Sequence, residues 1–369
     1  MADGLNMSRR IRRTPYTDRI EQVGVRGFSV VNHMLLPKAF ERSVEEDYWH
    51  LRAHVQMWDV SCQRQVQIAG PDAERLIQWM TPRRISDAKV GECYYVPLVD
   101  HQGGMINDPV LLKIDTDRFW LSIADSDVLL YALGLALGKG FDVEIDEPDV
   151  SPLAIQGPKA EALLSTVFGE RIRDIGFFKF GWFEFEGTSQ LIARSGYSRQ
   201  GGFEIYLNNT ALGPALWDRI WEAGQAFNIA PGCPNLIERI EGGLLSYGNE
   251  MTRENNPLQL GLEKFCHLDG SVDFLGLKAL QKIKNDGVSS QIRGFVFDGP
   301  KAPTCAQPWP VFVDDEQVGQ ITSGIWSPRL KKNVGLSLIK RDYWNYGQAI
   351  KVLLPDQTKR AGEVIKLPL

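Results

Sequence analysis

Cysteine and histidine are scarce in this chain of 369 residues, with five of each. The cysteines, at positions 62, 93, 233, 266 and 305, are dispersed and form no Cys-x-x-Cys pair. An odd, scattered set fits a reducing compartment better than a disulfide framework. The histidines, at 33, 50, 54, 101 and 267, show no metal-ligand spacing. His50 and His54 are four apart in a predicted helix, but no zincin motif surrounds them, so no metal site is expected. No run of 18 apolar residues exists, which argues against a membrane span. The opening "MADGLNMSRRIRRTPYTDRI" lacks the apolar core of a secretory signal, so a cytoplasmic location is expected. Basic charge is not in surplus: 41 Lys and Arg stand against 46 Asp and Glu, a net of -5. That balance gives no reason to expect a nucleic-acid partner. "SRRIRR" (8–13) reads as a short solvated segment.

What is present reads as a mixture of helices and strands, long enough for two or three domains. "SVEEDYWHLRAHVQMWDV" (43–60) predicts a helix, with Ser43 as cap and Glu45 and Glu46 at its positive end. "QRQVQIAG" (63–70) alternates like a strand, and "GPDAERLIQWMT" (70–81) opens a further helix. A β-meander follows: "CYYVPLVD", then "MINDPVLLKI", then "RFWLSIAD". "DVLLYALGLALGKG" (127–140) predicts an amphipathic helix; its "GLALGKG" lacks the spacing and the Ser or Thr of a phosphate loop. Residues 150–169 predict strand, turn and helix, 182–196 two strands through Gly187, 201–207 a strand and 211–227 a helix. After "KNDG" (284–287) short strands take over, predicting an all-β C-terminal domain.

One short stretch breaks the pattern. "GGMINDPVLL" (103–112) places Asp108 inside an apolar run, between Asn107 and Pro109. Pro109 has no amide hydrogen, so the strand needs an edge or a bulge there, and bulges re-aim side chains. Two readings fit: an Asx turn before Pro109, or a working carboxylate aimed into a cavity.

Six stretches then share an order: "MWDVSCQRQVQIAGPDAERLIQWMTPRRIS" (57–86), "GECYYVPLVDHQGGMINDPVLL" (91–112), "LAIQGPKAEALL" (153–164), "ARSGYSRQGGFEIYL" (193–207), "RIEGGLLSYGNEMTRENNPLQLGL" (239–262) and "VGQITSGIWSPRLKKNVGLSLI" (318–339). Nearly the whole chain thereby resembles the aminomethyltransferase family, the glycine cleavage T-protein and its folate-dependent relatives. The resemblance implies an α+β, three-domain, T-protein-like folate-binding fold with an all-β, barrel-like C-terminal domain. The expected division is 1–50 plus 150–240, then 51–149 plus 241–285 carrying the Asp108 strand, then 286–369. Tetrahydrofolate is implied as co-substrate, with an aspartate at the Asp108 position near the reacting nitrogen and a glutamate at Glu204 on the pterin.

The chain also departs from T-proteins. Asn107-Asp108-Pro109 replaces Asp-Asp-Leu, Ile123 replaces Asn, Tyr197-Ser198-Arg199-Gln200 replaces Tyr-Thr-Gly-Glu, and Asn235 replaces an arginine. The folate side looks kept and the donor side rebuilt. "NHMLLPKAF", "EEDYWHL", "GGMINDPV" and "SIADSDVLL" are similar to the dimethylsulfoniopropionate demethylase branch. That branch implies methyl transfer from a sulfonium to tetrahydrofolate. The alternatives are aminomethyl transfer in glycine cleavage and a non-catalytic folate-binding accessory protein, whose Lys-Gly-Cys-Tyr-x-Gly-Gln-Glu motif is absent.

Displacement at a sulfonium releases a neutral thioether, so alignment carries most of the acceleration. A chain without a Ser-His-Asp set suits that chemistry. The expected catalytic residue is Asp108. Glu204, Tyr95, Tyr206, Ser122 and Arg239 are the expected folate contacts. Tyr95, Tyr197, Tyr94 and Lys38 are the expected contacts of the small sulfonium substrate, since aromatic faces attract cations. Core packing competes with this reading for Tyr94, and a satisfied core serine for Ser122. Lys38, Arg194, Arg199 and Arg239 are candidates either for the substrate carboxylate or for the glutamate tail of folate. Lys366 matches a family position, although a surface lysine is its default reading. The remaining partner expectations are no nucleic acid, no membrane and, left open, a homodimer.

Overall fold

The structure is a computed structural model that describes residues 8–369; residues 1–7, the start of the opening stretch and of the first expected domain, lie outside it. Among the described residues no helix is long and apolar enough to cross a membrane.

Two large sheets dominate residues 8–240, beside the two-stranded ribbons Gly27–Val31 with Met34–Ala39 and Leu98–Val99 with Met105–Asn107. A six-stranded sheet runs in the order Phe180–Phe185, Thr188–Ala193, Gly202–Asn208, Val150–Gln156, Val55–Asp59, Ile229–Gly232. Period-2 alternation sends Phe203, Ile205 and Leu207 to one face, with Leu153, Ile155, Val55 and Met57 beside them. Helices Thr17–Gln22, Ala160–Phe168 and Gly213–Gly224 cover that face through Ile20, Leu163, Leu164, Leu216, Trp217 and Ile220. Glu204 and Tyr206 point the other way.

A five-stranded sheet runs Glu144–Asp146, Gln65–Ala69, Arg118–Ser122, Val110–Lys113, Cys93–Tyr95. Val66, Ile68, Leu111, Phe119 and Leu121 pack against helices Ala73–Met80 and Val128–Lys139. Its opposite face, with Cys93, Leu112 and Trp120, meets Val150, Leu191, Ala193 and Tyr206 of the six-stranded sheet. The site lies where these two uncovered faces meet. The C-terminal strands, from Ser290–Phe297 to Lys359–Ile365, close a six-stranded barrel around Phe295, Phe297, Trp309 and Ile321.

The structure differs from the sequence expectations at several places. The helix expected over 43–60 is Val44–Ala53, with the Ser43–Glu46 capping box formed as expected. His54 leaves helical geometry, and Val55–Asp59 is a fully buried strand, antiparallel to Val150–Gln156 and parallel to Ile229–Gly232. Pairing on both edges outweighs local helical pattern there. That strand, placed after the boundary at residue 50, therefore joins the sheet built mostly from 150–232. Helix Val128–Lys139 buries Val128, Ala132 and Ala136 and leaves Leu130, Leu133 and Leu137 exposed. Leu129, Tyr131 and Leu135 of the same helix pack partly against the core beside them.

Candidate active site

Two prolines shape the Asp108 bend. The strand expected over "CYYVPLVD" splits at Val96-Pro97, and its partner splits at Asp108-Pro109. Cys93–Tyr95 pairs with Val110–Lys113, while Leu98–Val99 pairs with Met105–Asn107 in a separate ribbon. The Val96 amide donates to the Pro109 carbonyl at 3.0 Å and holds the two bends together. Asn107 is buried and engaged at both ends: its side-chain oxygen accepts from the Asp108 amide at 3.0 Å and the Ala124 amide at 3.1 Å, and Nδ2 donates to Ser126 at 2.8 Å. The turn and the aimed carboxylate are thus the same device. Asn107 makes the turn, and Asp108 is freed from the ladder.

Tyr95 donates from its hydroxyl to Asp108 Oδ2 at 3.0 Å. Both residues keep partial solvent access although protein surrounds them, the condition of groups lining an internal cleft. Burial pushes the Asp108 carboxyl up to about 7; the Tyr95 hydroxyl opposes the rise and Glu250 adds to it. Phe265 packs on Tyr95 with ring centroids 5.1 Å apart.

Strand register extends the site. Tyr95 pairs with Val110, Val110 with Ser122 and Ser122 with Gln65, so these four form one cross-strand row. Across the cleft, Trp58, Ala154, Glu204 and Ala193 form a second row. Tyr206 is buried between the sheets, beside the Ser122 hydroxyl and 6.4 Å ring to ring from Trp120. Glu204 is buried, accepts a short hydrogen bond from Ser195, and has its carboxyl raised by burial. Ser195 is held by Gln156, which donates to its carbonyl at 3.1 Å and accepts from Ser198 at 2.7 Å. A Cβ at Gly196 would lie 2.2 Å from the Gln156 amide, so glycine is required beside this clamp.

The expected residues therefore divide. Asp108, Tyr95 and Tyr197 form one group, and Ser122, Tyr206 and Glu204 a second, on the facing sides of the two sheets. Tyr197 stands close enough to Asp108 and Tyr95 for their charges to affect one another, and its hydroxyl donates to the Leu244 and Leu245 carbonyls.

Tyr94 does not join them. It faces the opposite, helix-covered side of the strand, where its hydroxyl donates to the Asp87 carbonyl at 2.7 Å and the Arg83 guanidinium covers its ring at 4.3 Å. Adjacent strand residues point to opposite faces, so only one of the two tyrosines could line the cleft. Tyr95→Phe should lower kcat/KM about tenfold, because it removes a hydrogen bond to a charged acceptor. Tyr94→Phe should change it less than about twofold on the same reasoning. Steady-state kinetics of the pair checks both.

Arg239 is present but occupied. It is buried and donates to Glu250 at 2.7 Å, to the Leu244 carbonyl at 3.1 Å and to Ser323. It positions Tyr197 and Glu250 and offers no free cation to a folate. Arg194 pairs with Glu161 at 2.9 Å, Arg199 donates to the Gly242 carbonyl at 3.0 Å, and Lys38 and Lys366 are exposed. No ion pair among the described residues joins Lys38 to the Asp108 cluster.

Sequence reasoning missed Asn107 as the spacer, Ser195, Phe265, Glu250 and Gln65. Ser195 carried a signal, two residues past Ala193 on the Glu204 row. Glu250 carried none, being one acid among many in a loop. A separate apolar groove of about 380 Å³, lined by Leu258, Cys266, Lys284, Arg341 and Trp344, holds none of the cleft residues. Glu263 is its one carboxylate, and with none of the Asp108 or Glu204 residues lining it the groove is not taken as the site.

This fold agrees with comparisons to known proteins. The family model of the GCVT N-terminal domain matches residues 16–270, and that of the glycine cleavage T-protein C-terminal barrel domain matches residues 291–369. The chain belongs to the aminomethyltransferase (glycine cleavage T-protein) family. It is 50% identical to dimethylsulfoniopropionate demethylase DmdA of Ruegeria pomeroyi over 349 residues, 95% of each chain. Identity to an aminomethyltransferase of Thermoanaerobacter pseudethanolicus is 31% over 333 residues, 88% of this chain and 89% of that one. The crystal structure of glycine cleavage system aminomethyltransferase T from Bartonella henselae superposes with a TM-score of 0.86 at 23% identity, covering 97% of this chain and 98% of that one. The fold is therefore the α+β T-protein fold with its C-terminal barrel.

Proposed function

We propose that the chain is a tetrahydrofolate-dependent demethylase. It moves a methyl group from the sulfonium of dimethylsulfoniopropionate to N5 of tetrahydrofolate, giving 5-methyltetrahydrofolate and methylmercaptopropionate. One observation carries the reading: a chain 50% identical to a dimethylsulfoniopropionate demethylase sets Asp108, raised to about 7, in the cleft between its Glu204 sheet and the sheet facing it.

The residues fit a bound pterin. Ser195 holds one oxygen of Glu204 and leaves the other to accept from ring N–H and amino groups. Bound tetrahydrofolate supplies the nitrogen lone pair that takes the methyl carbon, while the carbon–sulfur bonding pair leaves with a neutral thioether. Tyr95 and Tyr197 present aromatic faces to the cation, at about 0.5–2 kcal/mol each. Asp108 offsets the positive charge on the acceptor nitrogen during transfer and takes the proton that nitrogen gives up. The protein's main contribution is alignment in a cleft screened from water.

Aminomethyl transfer is the second reading, favoured by 31% identity to aminomethyltransferases. The donor side speaks against it: Asn235, standing where T-proteins carry an arginine, caps helix Leu236–Gly242 by accepting from the Ile237 amide at 2.9 Å. Incubation with tetrahydrofolate and dimethylsulfoniopropionate should yield 5-methyltetrahydrofolate, and an aminomethyl-lipoyl donor should yield no 5,10-methylenetetrahydrofolate and no ammonia. The reverse outcome establishes the second reading.

The raised Asp108 carboxyl makes activity pH-dependent. kcat/KM for the sulfonium should rise with pH through about 7 as Asp108 ionises, and this limb should vanish in Asp108→Asn. Stability runs the other way. A folded value of about 7, above the ordinary ~3.9, gives a contribution fully present below about pH 4 and lost as pH rises through 7. Asp108→Asn should accordingly gain on the wild type in thermal stability above pH 7. A pH–rate profile with parallel melting curves checks both signs.

All five thiols are free, which suits a cytoplasmic enzyme. The exposed stripe of Leu130, Leu133 and Leu137 supports self-association as a homodimer, which sedimentation measurements decide.

A further inference from the structure

We infer that Gln65 is a further binding residue for the pterin, its side-chain oxygen accepting a hydrogen bond from a ring N–H or amino group. The inference rests on the tetrahydrofolate reading above. Gln65 is 1% exposed, and its amide nitrogen donates to the Gln63 carbonyl at 2.6 Å and to Ser122 Oγ at 3.1 Å. Both amide hydrogens are thereby used. The oxygen, Oε1, is buried and has no hydrogen-bond partner among the described residues. Turning the amide over would set oxygen against the Gln63 carbonyl oxygen, so the unpartnered atom stays an acceptor.

Buried polar groups are nearly always paired, and an orphan at a site asks for a ligand. Its position says which site. Gln65 continues the Tyr95–Val110–Ser122 row on the face turned toward Tyr206 and Glu204. Because Ser122 accepts from Gln65, its own proton is directed elsewhere, toward Tyr206. The orphan oxygen and Glu204 are therefore two acceptors on facing sheets.

The two reactants differ in what they can offer. The sulfonium substrate carries no N–H or O–H group on its cationic end. A reduced pterin carries several N–H donors along its edges. An acceptor with nothing to accept from selects the pterin.

The test is tetrahydrofolate affinity of the full chain, measured by anaerobic calorimetry, with wild type, Gln65→Met, Ser122→Ala and the double variant. Gln65→Met should weaken binding about 5- to 30-fold, the range of one well-made hydrogen bond. The sulfonium KM should move less than about twofold on the same scale, and the ligand-free melting temperature should change little, since removal of the orphan offsets the two hydrogen bonds lost to Gln63 and Ser122. A contact of its own makes the double variant bind more weakly than Ser122→Ala, although the two losses need not add because the residues touch, whereas action only through Ser122 makes the double variant no worse than Ser122→Ala. Unchanged affinity in Gln65→Met, or a lower melting temperature with unchanged affinity, overturns the inference. If the wild type itself fails to bind tetrahydrofolate, the demethylase reading fails instead. Gln65→Asn, which withdraws the oxygen by one methylene, carries the same affinity expectation should Gln65→Met not fold.

Discussion

Asp108→Asn should lose roughly 10²–10³-fold in kcat, the usual cost of removing a group aimed at developing charge. Asparagine has the same shape and still accepts from Tyr95, so packing and substrate binding should survive with KM changed little. What it lacks, on the function proposed, is the negative charge for the acceptor nitrogen and a site for the released proton. The environment makes that charge expensive in the empty enzyme: burial holds the carboxyl near 7, against about 4 in water. A cationic reactant entering the cleft lowers that cost, and so the charge is stabilised most where the positive partner is present. Steady-state kinetics with saturating tetrahydrofolate checks this. A kcat within a few-fold of wild type would remove Asp108 from the chemistry and leave it as a turn residue.

The second large effect is structural. Arg239→Met should lower stability by about 3–5 kcal/mol, because it leaves Glu250 buried without its cation. The Glu250 carboxylate is fully enclosed, accepting from Arg239, from the Ser246 amide at 2.9 Å and from Thr322 and Ser323 of the barrel. Two successive hydroxyls reach one carboxylate because the barrel strand Glu316–Ser327 shifts register between Ile321 and Ser323, with Thr322 as the extra residue. The pair thus joins helix Leu236–Gly242, the following loop and the barrel, directly behind Tyr197. In a melting experiment the loss should be on the order of 10 °C. Arg239→Met combined with Glu250→Met should recover much of it, since removing both charges leaves none unpaired. A single variant as stable as wild type would show that water reaches the pair.

Local pattern made much of this legible. Alternation in "GGFEIYL" already put Glu204 and Tyr206 on one face and Phe203, Ile205 and Leu207 on the other. The same period separates Tyr94 from Tyr95, although it does not say which faces the cleft. The bend at Asp108 followed from Pro109, which cannot donate to a ladder. Arg239 shows the limit: a buried, satisfied guanidinium and a free one have the same letter. The Val55–Asp59 strand shows another, since a helix-like pattern yielded to partners 100 and 170 residues away.

By itself, then, the amino-acid order determined most of the segments that extend, where they break and which side chains share a face, because those properties depend largely on neighbours a few residues apart; Val55–Asp59 is the exception. Only the tertiary structure decided which faces meet. That choice enclosed Asp108, buried Glu204, spent the charge of Arg239 on Glu250 and left the Gln65 oxygen without a donor among the described residues. Burial and pairing depend on residues distant in the chain, and they set the desolvation that gives a carboxylate its working pKa.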